Sequence, residues 1–293
     1  MKRSGNLPHI AKARGEQPRG NRPITDREAD DVEEMSSPRA PVIYEIVRRL
    51  GDEEMDRPIT SLWWSGVAAG LSISFSLLAQ AVLKSHLPEA PWTLLVSSLG
   101  YSVGFVMVVP SRQQLFTENT VTAVLPVMAD LSLTNLWRLG RVWSVVLVAN
   151  IAGTLVAALL CSLTPVLTPE LKAAMLDIAS QLKDYGWIEM VFRAVASGFL
   201  IATMVWLLPS AEAAQFHVII LITWLIAAAG FTHIVAGSME TFFLVLNGQL
   251  GVPPNGYRLL RPGPGRQCDR RHRAIRADCL CAGHERDMRD FSS

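Results

Sequence analysis

Residues 112–126 read RQQLFTENTVTAVLP. The stretch follows an apolar run and precedes more apolar sequence, yet it carries an arginine, two glutamines, a glutamate, an asparagine and threonines. An ionisable group at the bilayer centre costs about 2.5–3.5 kcal/mol on insertion scales, so such residues face a cavity or a partner. Irregular backbone is tolerated at that depth only when buried in protein or lining water. A second stretch of the same kind, GFTHIVAGSMETFFLVLNGQ at residues 230–249, sets His233 and Glu240 within apolar sequence. Both stretches are expected to be segments folded into the protein interior, polar because they meet solute and water rather than lipid.

Working outward, apolar runs of about twenty residues with at most one Lys, Arg, Asp or Glu recur, the length that a helix needs to cross a bilayer core. They cover residues 62–83, 92–109, 142–164, 191–208 and 216–236, with Trp63 and Trp64 as interfacial anchors of the first and Arg193 near the entry of the fourth. Of the 293 residues, 50% are hydrophobic and 18% charged, with a net charge of +1. The charge is concentrated at the two ends, so the middle is an all-α polytopic membrane protein. The two interruptions fall late in the second and fifth segments, three segments apart. Broken helices at corresponding places in two halves point to an inverted repeat with a substrate site between them. Small residues at helical spacing, Gly66/Gly70 and Ala194/Gly198, suit either close helix packing or a pore lining.

The chain divides into a charged, disordered arm (1–40), an amphipathic helix (41–56), the channel region with its five spans (57–250), and a tail (251–293). In the amphipathic segment Ile43, Ile46, Val47 and Leu50 share one face, which fits a helix on the membrane surface or one that binds a partner. No secretory signal is read in the first thirty residues. Arg48, Arg49 and Arg57 close to the first span place the N-terminus in the cytoplasm. Cys161 reads as a small buried hydrophobe.

The two interruptions also carry a family resemblance. YSVGFVMVVPSRQQLFT (Tyr101–Thr117) resembles the second helix of formate/nitrite transporters and its Leu-Phe-Thr loop, and GFTHIVAG resembles the Gly-Phe-x-His-x-Val-Ala signature of their fifth helix. The resemblance spans roughly residues 41–250. It implies an aquaporin-like fold with broken second and fifth helices, assembled as a homopentamer in the lipid bilayer with one pore per protomer. It implies that Thr117 and His233 face each other at mid-pore. Leu115 and Phe116 match the constriction, Tyr101 and Phe105 match earlier positions on helix two, and Ile201 and Ile226 complete the apolar rings. The expected cargo is a small monovalent anion or its weak acid, such as formate or nitrite. Half-helix N-termini would compensate the anion, and an imidazole would supply charge or a proton.

Several residues depart from that pattern. Arg112, Gln113 and Gln114 stand where small residues are usual, Gly198 where an asparagine is, and Gly237-Ser238-Met239-Glu240 follows the histidine motif. The LFTEN and HIVAGSME variants are similar to a bacterial inner-membrane branch of the family, so the solute is not carried over. Glu118, Glu240, Arg112 and Asn119 are the candidates for charge pairing or proton coupling. Arg112 is expected to pair with Glu118; alternatively a glutamate shares a proton with His233. No sixth apolar run follows residue 251. The arginine-rich tail reads as a frameshifted sixth helix. Its Cys268, His272, Cys279, Cys281 and His284 are zinc-type ligands at a spacing that matches no common site, so no metal is expected. No cofactor, nucleic-acid partner or paired catalytic set is expected, which argues against an enzyme. A neutral-solute channel and a non-transporting or truncated membrane protein are the alternatives.

Overall fold

The computed structural model describes Thr25 and residues 38–251; most of the charged arm and nearly all of the tail, with the expectations placed on them, lie outside the described residues. Every regular element among the described residues is helical.

Helix α1 (Ala40–Asp56) is amphipathic and buries Ile43, Val47, Gly51 and Met55. Its outer face is knitted by Arg48 and Arg49, both bonded to Glu45. The hydrogen bond from Arg48, then that from Arg49, holds the Glu45 carboxyl down at about 2. Pro58 starts α2 (Ile59–His86). A five-residue helix α3 (Thr93–Ser97), a 3-10 turn (Ser98–Tyr101) and α4 (Ser102–Val108) form the first part of the second segment. After a break come α5 (Phe116–Thr122) and α6 (Val124–Ala129).

Helix α7 (Leu133–Leu163) begins nine residues before the apolar run, because Ser132 caps it by accepting from the Asn135 N–H. Helix α8 (Pro169–Ser180) occupies what reads as the loop after the third span. Its start was legible in Thr168-Pro169-Glu170, a cap residue followed by proline and an acid. A 3-10 turn (Gln181–Asp184) leads to α9 (Trp187–Leu207). The fifth segment is α10 (Gln215–Ala228), a break, and α11 (Ile234–Leu246).

Three helices are long and apolar enough to cross a membrane among the described residues, those starting at Ile59, Leu133 and Trp187. The other two apolar segments are not continuous spans, since each stops partway and restarts. Helices α2 and α7 approach closely where their glycines meet. A Cβ on Gly66 would stand 2.7 Å from Ala149 Cβ, and one on Gly70 would stand 2.2 Å from the Asn150 carbonyl oxygen. That pair therefore serves packing. Gly198 has nothing within 4 Å of the same position, so Ala194/Gly198 makes no such contact here.

Candidate functional site: the waist between two broken helices

The two breaks share one backbone design. In the first, the Arg112 N–H donates to the Val109 carbonyl (3.1 Å) and the Gln113 N–H to that of Val108 (3.2 Å). In the second, the Gly230 N–H donates to Ala227 (3.0 Å) and the Phe231 N–H to Ile226 (2.9 Å). Each is a Schellman ending, which requires one left-handed residue. That residue is Arg112 (φ 50°) in the first break and Gly230 (φ 66°) in the second. Three residues later the chain is extended, at Leu115 and His233, and a new helix begins. Pro110, which lacks an N–H, contributes to stopping the first helix.

This geometry brings Thr117 and His233 together. Thr117 Oγ1 lies 2.9 Å from His233 Nε2. His233 Nδ1 accepts from the Ala236 N–H at 3.3 Å, so the histidine caps its own helix. A nitrogen that accepts carries no proton, so the neutral ring bears its proton on Nε2 and donates it to the threonine hydroxyl. Protonating Nδ1 as well would break the cap. His233 is 4% exposed.

Around this pair, Tyr101, Phe105, Leu115, Ile201 and Ile226 are buried in one apolar cluster, with Phe116 packed against it. The rings of Tyr101 and Phe105 are 5.2 Å apart, and Phe105 meets the His233 imidazole edge-to-face at 5.3 Å. Six of the eight residues read from the sequence as pathway residues thus belong to or pack against one apolar cluster, and Phe105 joins that cluster to the Thr117–His233 pair.

The charge-coupling residues are placed otherwise. Arg112 makes no ion pair among the described residues; its left-handed turn leaves the side chain exposed. Glu118 Oε1 is buried and without a hydrogen-bond partner, so the expected Arg112–Glu118 pair is not formed. Neither Glu118 nor Glu240 shares a proton with His233, because Thr117 and Ala236 already occupy both ring nitrogens. Asn119 donates to Gln114 Oε1 (3.0 Å), and its carbonyl accepts from the Trp143 indole (3.1 Å). Gln114 in turn donates to Glu54 on α1.

Sequence reasoning missed two braces. Asn150 on α7, fully buried, accepts from the Phe116 N–H (2.9 Å) and donates to the carbonyls of Gly66 and Gln114 (2.8 Å each). A lone asparagine inside an apolar run was the available signal. Arg193 donates to the Gly230 carbonyl (2.9 Å) while stacking on Tyr185 at 4.1 Å. Both satisfy backbone groups that a broken helix leaves open inside a membrane. Among the described residues no cluster of His, Cys, Asp or Glu could hold a metal ion.

Comparison with known proteins agrees with the fold. The family model described as formate/nitrite transporter matches residues 41–260. The inner membrane protein YfdC of Escherichia coli K12 is 47% identical over 212 residues, 72% of this chain and 68% of that one. The formate channel FocA of Haemophilus influenzae is 29% identical over 204 residues, 67% of this chain and 70% of its own. A solved pentameric formate channel with formate bound superposes with a TM-score of 0.56 at 21% identity, covering 65% of this chain and 81% of that one. The chain belongs to the formate/nitrite transporter family, a family of membrane transporters and channels.

Proposed function

We propose that this protein is a channel for small monovalent anions and their weak acids, with formate and nitrite as the size class, and that Thr117 and His233 form its central waist. The observation that carries this reading is the 2.9 Å contact between side chains of two separate broken helices. It sets a hydroxyl and an imidazole inside a ring of Leu, Phe, Tyr and Ile. A dry ring of that kind strips an anion of hydration at high cost. The Nε2–H and the threonine hydroxyl offer hydrogen bonds in exchange, and the starts of α5 and α11 add partial positive charge. The cap on Nδ1 favours His233 acting as a neutral donor to the solute, with proton passage requiring the cap to open.

The assembly is read as a homopentamer in the inner membrane, on the strength of the pentameric relative and the inner-membrane relative. Its N-terminus is placed in the cytoplasm by Arg48, Arg49 and Arg57 ahead of the first span. The chain is a passage, not a catalyst. The test is flux into proteoliposomes of formate, nitrite and acetate, against glycerol as a neutral solute. The reading expects formate or nitrite uptake that falls at least about tenfold, ~1.4 kcal/mol of barrier, in His233→Ala. Uptake of glycerol alone, or anion uptake indifferent to His233→Ala, would refute it.

A further inference from the structure

Away from the waist, the outer surface carries an apolar groove of about 390 Å³ between the first halves of α2 and α7. Ile59, Trp63 and Trp64 line it from α2, and Ser144, Val145 and Val148 from α7. The two helices run parallel, since Gly66 meets Ala149 and Gly70 meets Asn150 and Gly153. Both therefore begin at the same face of the membrane. Ile59 is 52% exposed, Val148 54% and Trp64 70%, so among the described residues nothing covers the groove. The two indoles stand at the start of α2, at the depth where tryptophan settles between headgroups and acyl chains.

The head of this groove is basic. On α7, Arg141 precedes Ser144, Val145 and Val148 by three, four and seven residues, which places it on the same stripe of the helix. Its Nη2 donates to the carbonyls of Met55 and Arg57, just ahead of Ile59. The guanidinium thus sits where the groove meets the start of α2. Arg141 enters no ion pair among the described residues. Its Nε is buried without a hydrogen-bond partner, so the group is short of acceptors. The carboxylates of the adjoining turn are engaged elsewhere: Asp56 by Arg138, and Glu54 by Arg57 and the Gln114 amide. Arg57 also donates to Ser61. Arg141 is the guanidinium of this turn left without a counter-charge.

We propose that the groove is a binding site for a phospholipid of net negative charge, with one acyl chain between Trp63, Trp64 and Val148 and the headgroup phosphate at Arg141. Basic pockets between membrane helices hold anionic headgroups, and a guanidinium matches the oxygens of a phosphate through several N–H groups at once. A zwitterionic lipid fits the apolar part equally well, but it carries its own cation to the guanidinium. The discrimination therefore lies at the head of the groove and the grip lies along its wall.

The experiment adds dioleoylphosphatidylglycerol or dioleoylphosphatidylcholine to the purified full-length protein in detergent and reads retained lipid by native mass spectrometry. The wild type is expected to bind phosphatidylglycerol about fivefold more tightly, the worth of one basic residue at a membrane surface. Arg141→Gln is expected to bring the two lipids to parity, and Arg141→Lys to keep the preference. Trp64→Ala is expected to weaken both lipids alike, because it removes wall and no charge. Thr60→Glu, at an exposed position on the groove, is expected to abolish the preference without removing the Arg141 side chain, and serves if Arg141→Gln does not fold. Equal retention of both lipids by the wild type overturns the proposal. So does a preference that survives Arg141→Gln or, should that variant not fold, Thr60→Glu. Break-up of an oligomer by Trp64→Ala without loss of bound lipid also overturns it, by showing that the groove is a contact between copies of the chain.

Discussion

The two breaks have the same backbone and opposite caps. In each, a Schellman ending is followed three residues later by an extended residue that opens a new helix. At the first break that residue is Leu115, whose side chain cannot accept a hydrogen bond. The cap comes instead from Asn150 on a different helix. At the second it is His233, which caps with its own Nδ1. The difference teaches a division of labour. Borrowing a cap frees the first position for an apolar gate side chain. Self-capping lets the second position carry a polar ring into the waist with its tautomer fixed.

The largest expected effect follows from that asymmetry. Asn150→Ala leaves the Phe116 N–H and the Gln114 carbonyl without their partner in a buried place, while the Gly66 carbonyl keeps its bond within α2. Each orphaned group costs about 1–3 kcal/mol, so a loss of roughly 2 kcal/mol or more is expected, read as a fall in the thermal midpoint in detergent. A midpoint within a degree of the wild type would mean that the first break does not depend on its borrowed cap.

His233 offers a sharper cut, because one side chain does two jobs. His233→Ala removes both the cap and the Nε2 donor; His233→Asn keeps an acceptor for the Ala236 N–H and exchanges the imidazole Nε2–H for a shorter amide. Anion flux is expected to fall in both variants. Stability is expected to fall by about 1 kcal/mol in the alanine variant and to be largely restored by asparagine. If asparagine is no more stable than alanine, the self-cap is not a stabilising feature.

Much of this architecture was legible. Leu-Phe-Thr and Gly-Phe-Thr-His marked both breaks, and polar residues in apolar runs told where backbone leaves the helix. The eight waist residues were named through the resemblance to formate/nitrite transporters that the two motifs carry, with Ile201 and Ile226 lying outside those motifs. What was not legible depends on the direction of side chains. Arg112 and Glu118 are six residues apart and of opposite charge, which suggests an ion pair, but a left-handed backbone at Arg112 turns it outward. Asn150 was passed over because its partners are backbone groups 34 to 84 residues away, which no local pattern displays. Arg193 was seen only as a charge at a span entry, and its target carbonyl lies on another helix.

The left-handed positions themselves can be exchanged to test whether the two breaks are equivalent. A residue with a Cβ in that conformation costs about 1–2 kcal/mol relative to glycine. Gly230→Ala is therefore expected to destabilise by about that much, the more so as its Cβ would stand 3.2 Å from Arg193 Nη1 and Tyr185 Oη. Arg112→Gly is expected to stabilise by less, about 0.5–1 kcal/mol, since glycine also gains freedom in the unfolded chain. Opposite signs in unfolding experiments would support one shared backbone design; a loss in both would show that Arg112 has a contact of its own to lose.

The smallest effect concerns what lies behind the first break. Its Gln114 is tied to Glu54 of α1, and a Cβ on Gly51 of α1 would stand 1.9 Å from the Thr122 carbonyl oxygen of α5, so the surface helix is seated directly on the half-helix. Burial pushes the Glu54 carboxyl above its usual 4.5, with Arg57 and the Gln114 amide opposing that shift. A carboxyl raised on folding binds its proton more tightly in the folded state, so the ionised group disfavours folding as pH climbs above 4.5. Glu54→Gln keeps an acceptor for Gln114 and carries no charge. It is expected to be more stable than the wild type at pH 7 by a few tenths of a kcal/mol, with the difference vanishing below about pH 4.5, the unfolded value. Loss of stability at pH 7 instead would mean that the Arg57 pairing outweighs burial, and that α1 is fastened to the first break by charge rather than by the amide.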